Sequence, residues 1–286
     1  MAVYISNSLE GLDILKNENL PIISDGFKVG LKTIGIINLM PKKSETESQI
    51  LRLLSLGNED INVEFIRIES YVSSSNEYLI DNYATFNDVK DRLNGVIITG
   101  APLEKLEFQE VSYINELKEI LDYVKNNVKS SLYICWGAQV ALNHFYNIRK
   151  QLKDSKIFGV FSHEIIKHDD ILNGIANGFK APHSRHTCLN RQDLESSKLK
   201  LICTTNEGEE HIIKGNFNDY YILGHCEYDE ITLADEYFRD LNKGLPIDVP
   251  KNYFYNDDST LGINFSWRED GVKIYANWVS QIALYN

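Results

Sequence analysis

Apolar residues recur along the chain in two rhythms. Short unbroken runs of β-branched and aromatic residues mark buried strands, and stretches with apolar positions every three or four residues mark helices. Thr33–Met40 (TIGIINLM) predicts a buried strand, ended by Pro41. Ser44-Glu45-Thr46-Glu47 reads as a capping box that opens a helix with Ile50, Leu51, Leu53 and Leu54 turned inward. Asn62–Ile68 and Gly95–Thr99 predict two further strands, the second stopped by Gly100-Ala101-Pro102. Ile114, Leu117, Ile120, Leu121 and Val124 form one apolar stripe between charged positions, which predicts a helix. Ser131–Ile134 predicts a fourth strand, running into Cys135 and then the helical stretch Ala138–Tyr146. This β-α-β-α alternation implies an α/β fold with parallel strands and helices on both faces. In the second half, Ile157–Phe161, Lys200–Thr204, Glu210–Ile213 and Tyr220–Leu223 predict strands, and Leu233–Leu241 and Tyr275–Ala283 predict helices. No repeat, Ser/Gly linker or break in composition divides the 286 residues, so a single domain over 1–286 is expected.

Charge narrows the partners. Lys plus Arg number 29 against 41 Asp plus Glu, a formal charge of −12. Non-specific nucleic-acid binding needs a basic surface and is not expected, whereas a local basic pocket for a small anion is compatible with that balance. No apolar run approaches the roughly 20 residues of a membrane span. The opening MAVYISNSLEGLDILKNENL lacks a basic segment followed by an apolar core, so no signal peptide is read. Cys135, Cys188, Cys203 and Cys226 are widely spaced, without a C-x-x-C pair. That usage suits a reducing cytosol, and a cytoplasmic location is expected.

Cys135 is the candidate nucleophile. In LYICWGAQ it stands between an apolar strand and a helix, the turn that holds a nucleophile at the carboxyl edge of an open α/β sheet. The positive end of the helix favours a thiolate there, and the Trp136 amide could stabilise a developing oxyanion. Gly137 is read as giving room for a substrate, and the Gly100-Ala101-Pro102 turn as a source of a second oxyanion amide. Cys188 and Cys203 lack this context and are expected in the core. After the strand Tyr220–Leu223 comes GHCEYD, in which His225 and Glu227, two apart in an extended segment, point the same way. Glu227 would hold His225 in one tautomer, as the third member of a triad does. Cys135, His225 and Glu227 follow the chain order of the glutamine amidotransferase-like folds.

The segments INLMPKKSETESQILRLLS, ITGAPLEKLEFQEVSYINEL, LYICWGAQVAL, KIFGVF, PHSRHT, LGHCEYDEITLADEYFRDL and NYFYNDD, in this order from residue 36 to about 258, resemble the homoserine O-acyltransferase family of the transsuccinylase type. The resemblance implies a flavodoxin-like, class I glutamine amidotransferase-like sheet, an acyl-CoA donor and an amino-acid hydroxyl acceptor, in bacterial methionine biosynthesis. It implies that Cys135 is acylated, that His225 is the base and that Glu227 is its partner. It matches Lys156, Ser184 and Arg239 to substrate-binding positions and Glu104 to the position that selects the acyl donor. A glutamate there would fill the space of a succinyl tail and repel its carboxylate, which implies the acetyl-CoA branch. Cys226 stands where the family has Pro and is expected to face away from His225. The segments 1–33 and 267–286 match loosely.

His183 and His186 raise the question of zinc, since two His three apart can share a helix face. No suitably spaced acidic or cysteine ligand is near, and Pro182 argues for a loop, so no metal is expected. Ser184 and Arg185 are read as pocket-lining groups. The expected activity is homoserine O-acetyltransfer with acetyl-CoA as co-substrate and no cofactor. The expected partners are L-homoserine, acetyl-CoA and, for assembly, a homodimer, with no nucleic acid or membrane. Rival readings are succinyl transfer, acetyl transfer to serine, glutamine hydrolysis by the same triad, and a non-catalytic binding module.

Overall fold

A computed structural model describes residues 2–6, 8–71, 76–216 and 218–284. The first half runs β1 (Val3–Ile5), α1 (Glu10–Leu15), β2 (Ile22–Ile23), β3 (Lys32–Ile37), α2 (Lys43–Ser55), β4 (Ile61–Arg67), α3 (Asn76–Asn82), β5 (Ala84–Thr85), α4 (Phe86–Val89), β6 (Leu93–Ile98), α5 (Ile114–Asn127), β7 (Ser130–Ile134) and α6 (Trp136–Tyr146). The second half runs β8 (Lys150–Ile165), β9 (Lys180–Leu189), α7 (Arg191–Ser196), β10 (Lys200–Thr205), β11 (Glu210–Lys214), β12 (Asp219–Ile222), α8 (Thr232–Asn242) and α9 (Arg268–Leu284).

Among the described residues the strands join in one sheet, ordered β2-β1-β4-β3-β6-β7-β12-β11-β10-β8-β9, with β5 beside β4. Pairing is parallel from β2 to β12 and antiparallel from β12 onward. The parallel part is buried on both faces, and its side chains alternate between two cores as a period of two requires. Ile34, Ile36, Ile97, Leu132 and Ile134 join one core, under α2 and α9. Ile37, Val96, Ile98 and Tyr133 join the other, under α5 and α6. The chain steps from β3 to β4 on one side and returns to β6 on the other. The switch point therefore lies between β3 and β6, where open α/β sheets bind ligands beyond the carboxyl ends.

Three sequence expectations change. Ser44–Glu47 is not a capping box: α2 begins at Lys43, and its cap residue Lys42 makes no side-chain cap bond. Glu47 is fully buried instead, accepting from the Gly11 amide at 2.8 Å and the Tyr83 hydroxyl at 2.7 Å. The segment around Pro182 is not a loop but the strand β9, paired antiparallel with β8 and with Pro182 opposite Val160. β9 ends the sheet, and an edge strand tolerates a residue without an N–H. Ile157–Phe161 is the inner part of the much longer β8. No helix among the described residues is long and apolar enough to cross a membrane.

Candidate active site

Cys135 occupies the single residue between β7 and α6, at φ 49° and ψ −113°. A residue with a Cβ adopts positive φ at a cost of about 1–3 kcal/mol, so the surroundings must hold it there. They do so through the Cys135 amide, which donates to the Ile222 carbonyl at 2.7 Å, and the Gln139 amide, which donates to the Cys135 carbonyl at 3.0 Å. The Trp136 ring is fully buried beside Phe108 and Tyr113, fixing the first turn of α6. The Trp136 amide is at the first helical position and has no acceptor within the helix. Gly137 serves packing, not substrate access as the sequence suggested. A Cβ there would lie 2.6 Å from the Thr99 carbonyl oxygen and 2.9 Å from that of Ile98, so only glycine lets α6 start against the end of β6.

His225 follows β12 in a turn rather than an extended segment, with the Tyr228 amide donating to its carbonyl at 3.3 Å. The turn still brings the expected pair together: His225 Nδ1 donates to Glu227 Oε1 at 2.7 Å. That leaves Nε2 for the Cys135 sulfur, the other group that raises the imidazole. Tyr228 stacks on the ring at 4.0 Å between centroids, and the His225 amide donates to the Pro182 carbonyl at 2.8 Å. Burial by itself pushes the imidazole down, but the Glu227 carboxylate and the Cys135 sulfur outweigh it and raise it to about 10. The imidazole therefore carries its proton at neutral pH, facing the Cys135 sulfur. Asp229 anchors the end of the turn, held by Arg52 of α2 and, at 2.7 Å, by Arg268 of α9.

A cavity of about 600 Å³ opens over Cys135 and His225. Its walls bring together Lys156, Ser184 and Arg239, the substrate-binding positions that the resemblance implies. Lys156 of β8 donates to Glu236 Oε1 at 2.5 Å, and Ser184 of β9 donates to Glu236 Oε2 at 2.8 Å. Arg239, one turn along α8, lies 3.8 Å from Glu236 Oε1 and donates to Asp240 at 2.7 Å. Glu236 is the residue the sequence reading missed. Its signal was its place three before Arg239, on one helical face, and it supplies a carboxylate beside two cations. Glu104 lines the same cavity, with its Oε1 accepting from the His186 amide at 3.0 Å and its carboxyl raised by burial.

Alternation along β9 sorts the remaining candidates. Ser184 and His186 face the cavity, whereas His183 and Arg185 point into the protein and are fully buried. Arg185 is thus not a pocket residue; it donates to the Thr187 carbonyl at 2.6 Å and the Glu210 carbonyl at 3.2 Å. His183 and His186 cannot share a metal across the strand. His183 instead meets His163 and His211 in the interior, the one group among the described residues with metal-ligand spacing. Cys203 is buried as expected, while Cys188 is only half-buried.

A protein-family model described as homoserine O-succinyltransferase matches residues 2–285, taking in both end segments. Proteins named homoserine O-acetyltransferase from Lachnoclostridium phytofermentans and Acetivibrio thermocellus are each 40% identical to this chain, over 98% of its length and 96% and 95% of theirs. Among solved structures, a glutamine amidotransferase from Thermotoga maritima aligns with TM-score 0.58 at 10% identity, covering 90% of this chain and 97% of the other. A glutamine amidotransferase from Methylobacillus flagellatus aligns with TM-score 0.57 at 8% identity, covering 89% of this chain and 96% of the other. At such identities the likeness speaks for the class I glutamine amidotransferase-like fold alone.

Proposed function

The chain belongs to the homoserine O-succinyltransferase family, and on that premise we propose that it is a homoserine O-acetyltransferase of methionine biosynthesis, consuming acetyl-CoA as co-substrate. The observation that carries this reading is the shared cavity: a Cys135–His225–Glu227 set faces Lys156, Ser184, Glu236 and Arg239. The zwitterionic head of an amino acid needs both signs of charge, and the Arg239 fork suits its α-carboxylate while Glu236 suits its ammonium.

The Cys135 sulfur attacks the thioester carbonyl of acetyl-CoA, and the oxyanion that forms is met by the Trp136 amide. The C–S bond to coenzyme A breaks, and the departing thiolate takes the proton from His225. Acylation ties up the sulfur that had helped to raise the imidazole, so His225 becomes a base. It accepts the proton of the homoserine γ-hydroxyl as that oxygen attacks the acyl group. The Cys135 thiolate leaves, O-acetylhomoserine is released and the ion pair is restored. Glu227 keeps Nδ1 protonated throughout, so Nε2 is the nitrogen that exchanges protons.

Glu104 favours acetyl over succinyl as the donor. Two carboxylates about 4 Å apart at an effective dielectric of roughly 20 repel by about 4 kcal/mol, and about 1.4 kcal/mol is already tenfold. The four free cysteines suit a cytoplasmic enzyme. The test is a matrix of acetyl-CoA and succinyl-CoA against homoserine, serine and water, followed by release of free coenzyme A thiol. Acetyl-CoA with homoserine should exceed every other pair; a preference for succinyl-CoA or serine would replace this assignment.

A further inference from the structure

Behind the catalytic turn lies a second cluster of chemistry that acyl transfer does not use. His163 of β8, His183 of β9 and His211 of β11 are fully buried, and one nitrogen from each lies within 4.8 Å of the others. The neighbouring ring centroids are 4.0–5.2 Å apart. His163 Nδ1 lies 3.3 Å from the Phe179 carbonyl oxygen, which can only accept, so this nitrogen carries the hydrogen and Nε2 presents its lone pair. His163 Nε2 lies 3.0 Å from His183 Nε2. His183 Nδ1 and His211 Nδ1 have no hydrogen-bond partner, although each is buried. A buried polar atom left without a partner is unfavourable, and here two share one cluster. Gly224 closes the open side: a Cβ there would lie 2.8 Å from His183 Nε2 and 2.9 Å from His211 Nδ1, so the missing side chain leaves a cradle against both rings.

We propose that His163, His183 and His211 bind one zinc-class transition-metal cation directly behind the catalytic base. Imidazole nitrogens suit Zn²⁺ and its neighbours, and the absence of a carboxylate from the cluster disfavours Mg²⁺ and Ca²⁺. Two nitrogens on tetrahedral Zn²⁺, each about 2.0–2.1 Å from the ion, stand about 3.4 Å apart. The 3.0 Å pair must open slightly, and the other nitrogens, within 4.8 Å, must settle at that spacing. All three rings are fully buried, and each offers one nitrogen to the ion. Cys226, whose sulfur lies 3.9 Å from His211 Nε2, stands outside the three-nitrogen group. The bound ion would tie β8, β9 and β11 together behind the turn that carries His225.

The test uses the full chain, stripped with a chelator and titrated with ZnCl₂ by calorimetry, and with CoCl₂ by visible absorption. We expect one equivalent of Zn²⁺ at low micromolar affinity or tighter, a melting temperature that rises until one equivalent is reached, and the intense visible bands of tetrahedral Co²⁺. His211→Phe and His163→Gln should each weaken Zn²⁺ binding at least about tenfold. His186→Gln, on the opposite face of β9, should leave it unchanged. Binding no weaker in the two cluster variants, or a wild-type Co²⁺ spectrum with only weak octahedral bands, would overturn the proposal. Should one variant fail to fold, the other variant and the wild-type Co²⁺ spectrum still decide it.

Discussion

His225 and Glu104 show how single positions set the chemistry. His225 is raised from 6.5 to about 10 against the pull of burial, by Glu227 and the Cys135 sulfur. A base raised in the folded state adds stability that is fully present below pH 6.5 and is lost as pH rises through 10. Urea unfolding should therefore show wild type losing stability between about pH 7 and 10, and Glu227→Gln losing distinctly less over the same window. His225→Asn should lower kcat/KM for homoserine acetylation by about 10²–10⁴-fold, the usual worth of a positioned general base. Glu104 is raised by burial, so it becomes neutral on acidification sooner than an exposed glutamate. The ratio of succinyl-CoA to acetyl-CoA turnover should accordingly rise as pH falls. Glu104→Gly should raise that ratio at neutral pH, and an unchanged ratio would remove Glu104 from donor selection. Cys135, His225 and Glu227 were legible in the sequence because their chemistry is carried by local context, a strand-Cys-helix junction and a His-x-Glu pair, whereas Glu104 was named only through the family resemblance. Glu236 carried only its spacing from Arg239 as a signal, because its role depends on Lys156 and Ser184, residues 80 and 52 positions away.

At the scale of elements, the parallel half was readable because each strand is an unbroken apolar run. The antiparallel half was less so. β8 begins with KQLKDSK, whose polar, exposed positions hide half of a 16-residue strand. β9 carries Pro182, a residue that ordinarily excludes a strand and is tolerated here at the edge of the sheet. These two strands bring Lys156 and Ser184 into the cavity, a convergence that the element pattern hid and only the family resemblance implied. Close contact between α6 and β6 is the most sensitive joint. Gly137→Ala forces a Cβ to 2.6 Å from the Thr99 carbonyl oxygen and should destabilise by about 1–3 kcal/mol in chemical unfolding, with activity falling as Cys135 is displaced. A second joint ties α2 and α9 to the catalytic turn through Asp229. Asp229→Ala leaves Arg268 without this carboxylate and should cost about 1.5–3 kcal/mol, with kcat falling more than KM rises if the turn is what it positions.

The whole molecule sets a thiol at the carboxyl end of β7, one strand from the switch point of a buried parallel sheet, beside an antiparallel arm and α8. The sheet supplies Cys135 in a strained conformation, and the arm supplies Lys156 and Ser184, which on the proposed function help to recognise an amino acid. The acidic balance of the chain does not conflict with this, because Lys156 and Arg239 are confined to one cavity. The division of labour demands two half-reactions at one sulfur, so initial rates with varied acetyl-CoA and homoserine should give parallel double-reciprocal lines. The most direct measurement is the intact mass of the protein after brief exposure to acetyl-CoA without acceptor, with peptide mapping of the adduct. One acetyl group on Cys135, discharged when homoserine is added and absent from Cys135→Ser, is the result this account requires. An unmodified Cys135 in an enzyme that still acetylates homoserine would contradict it.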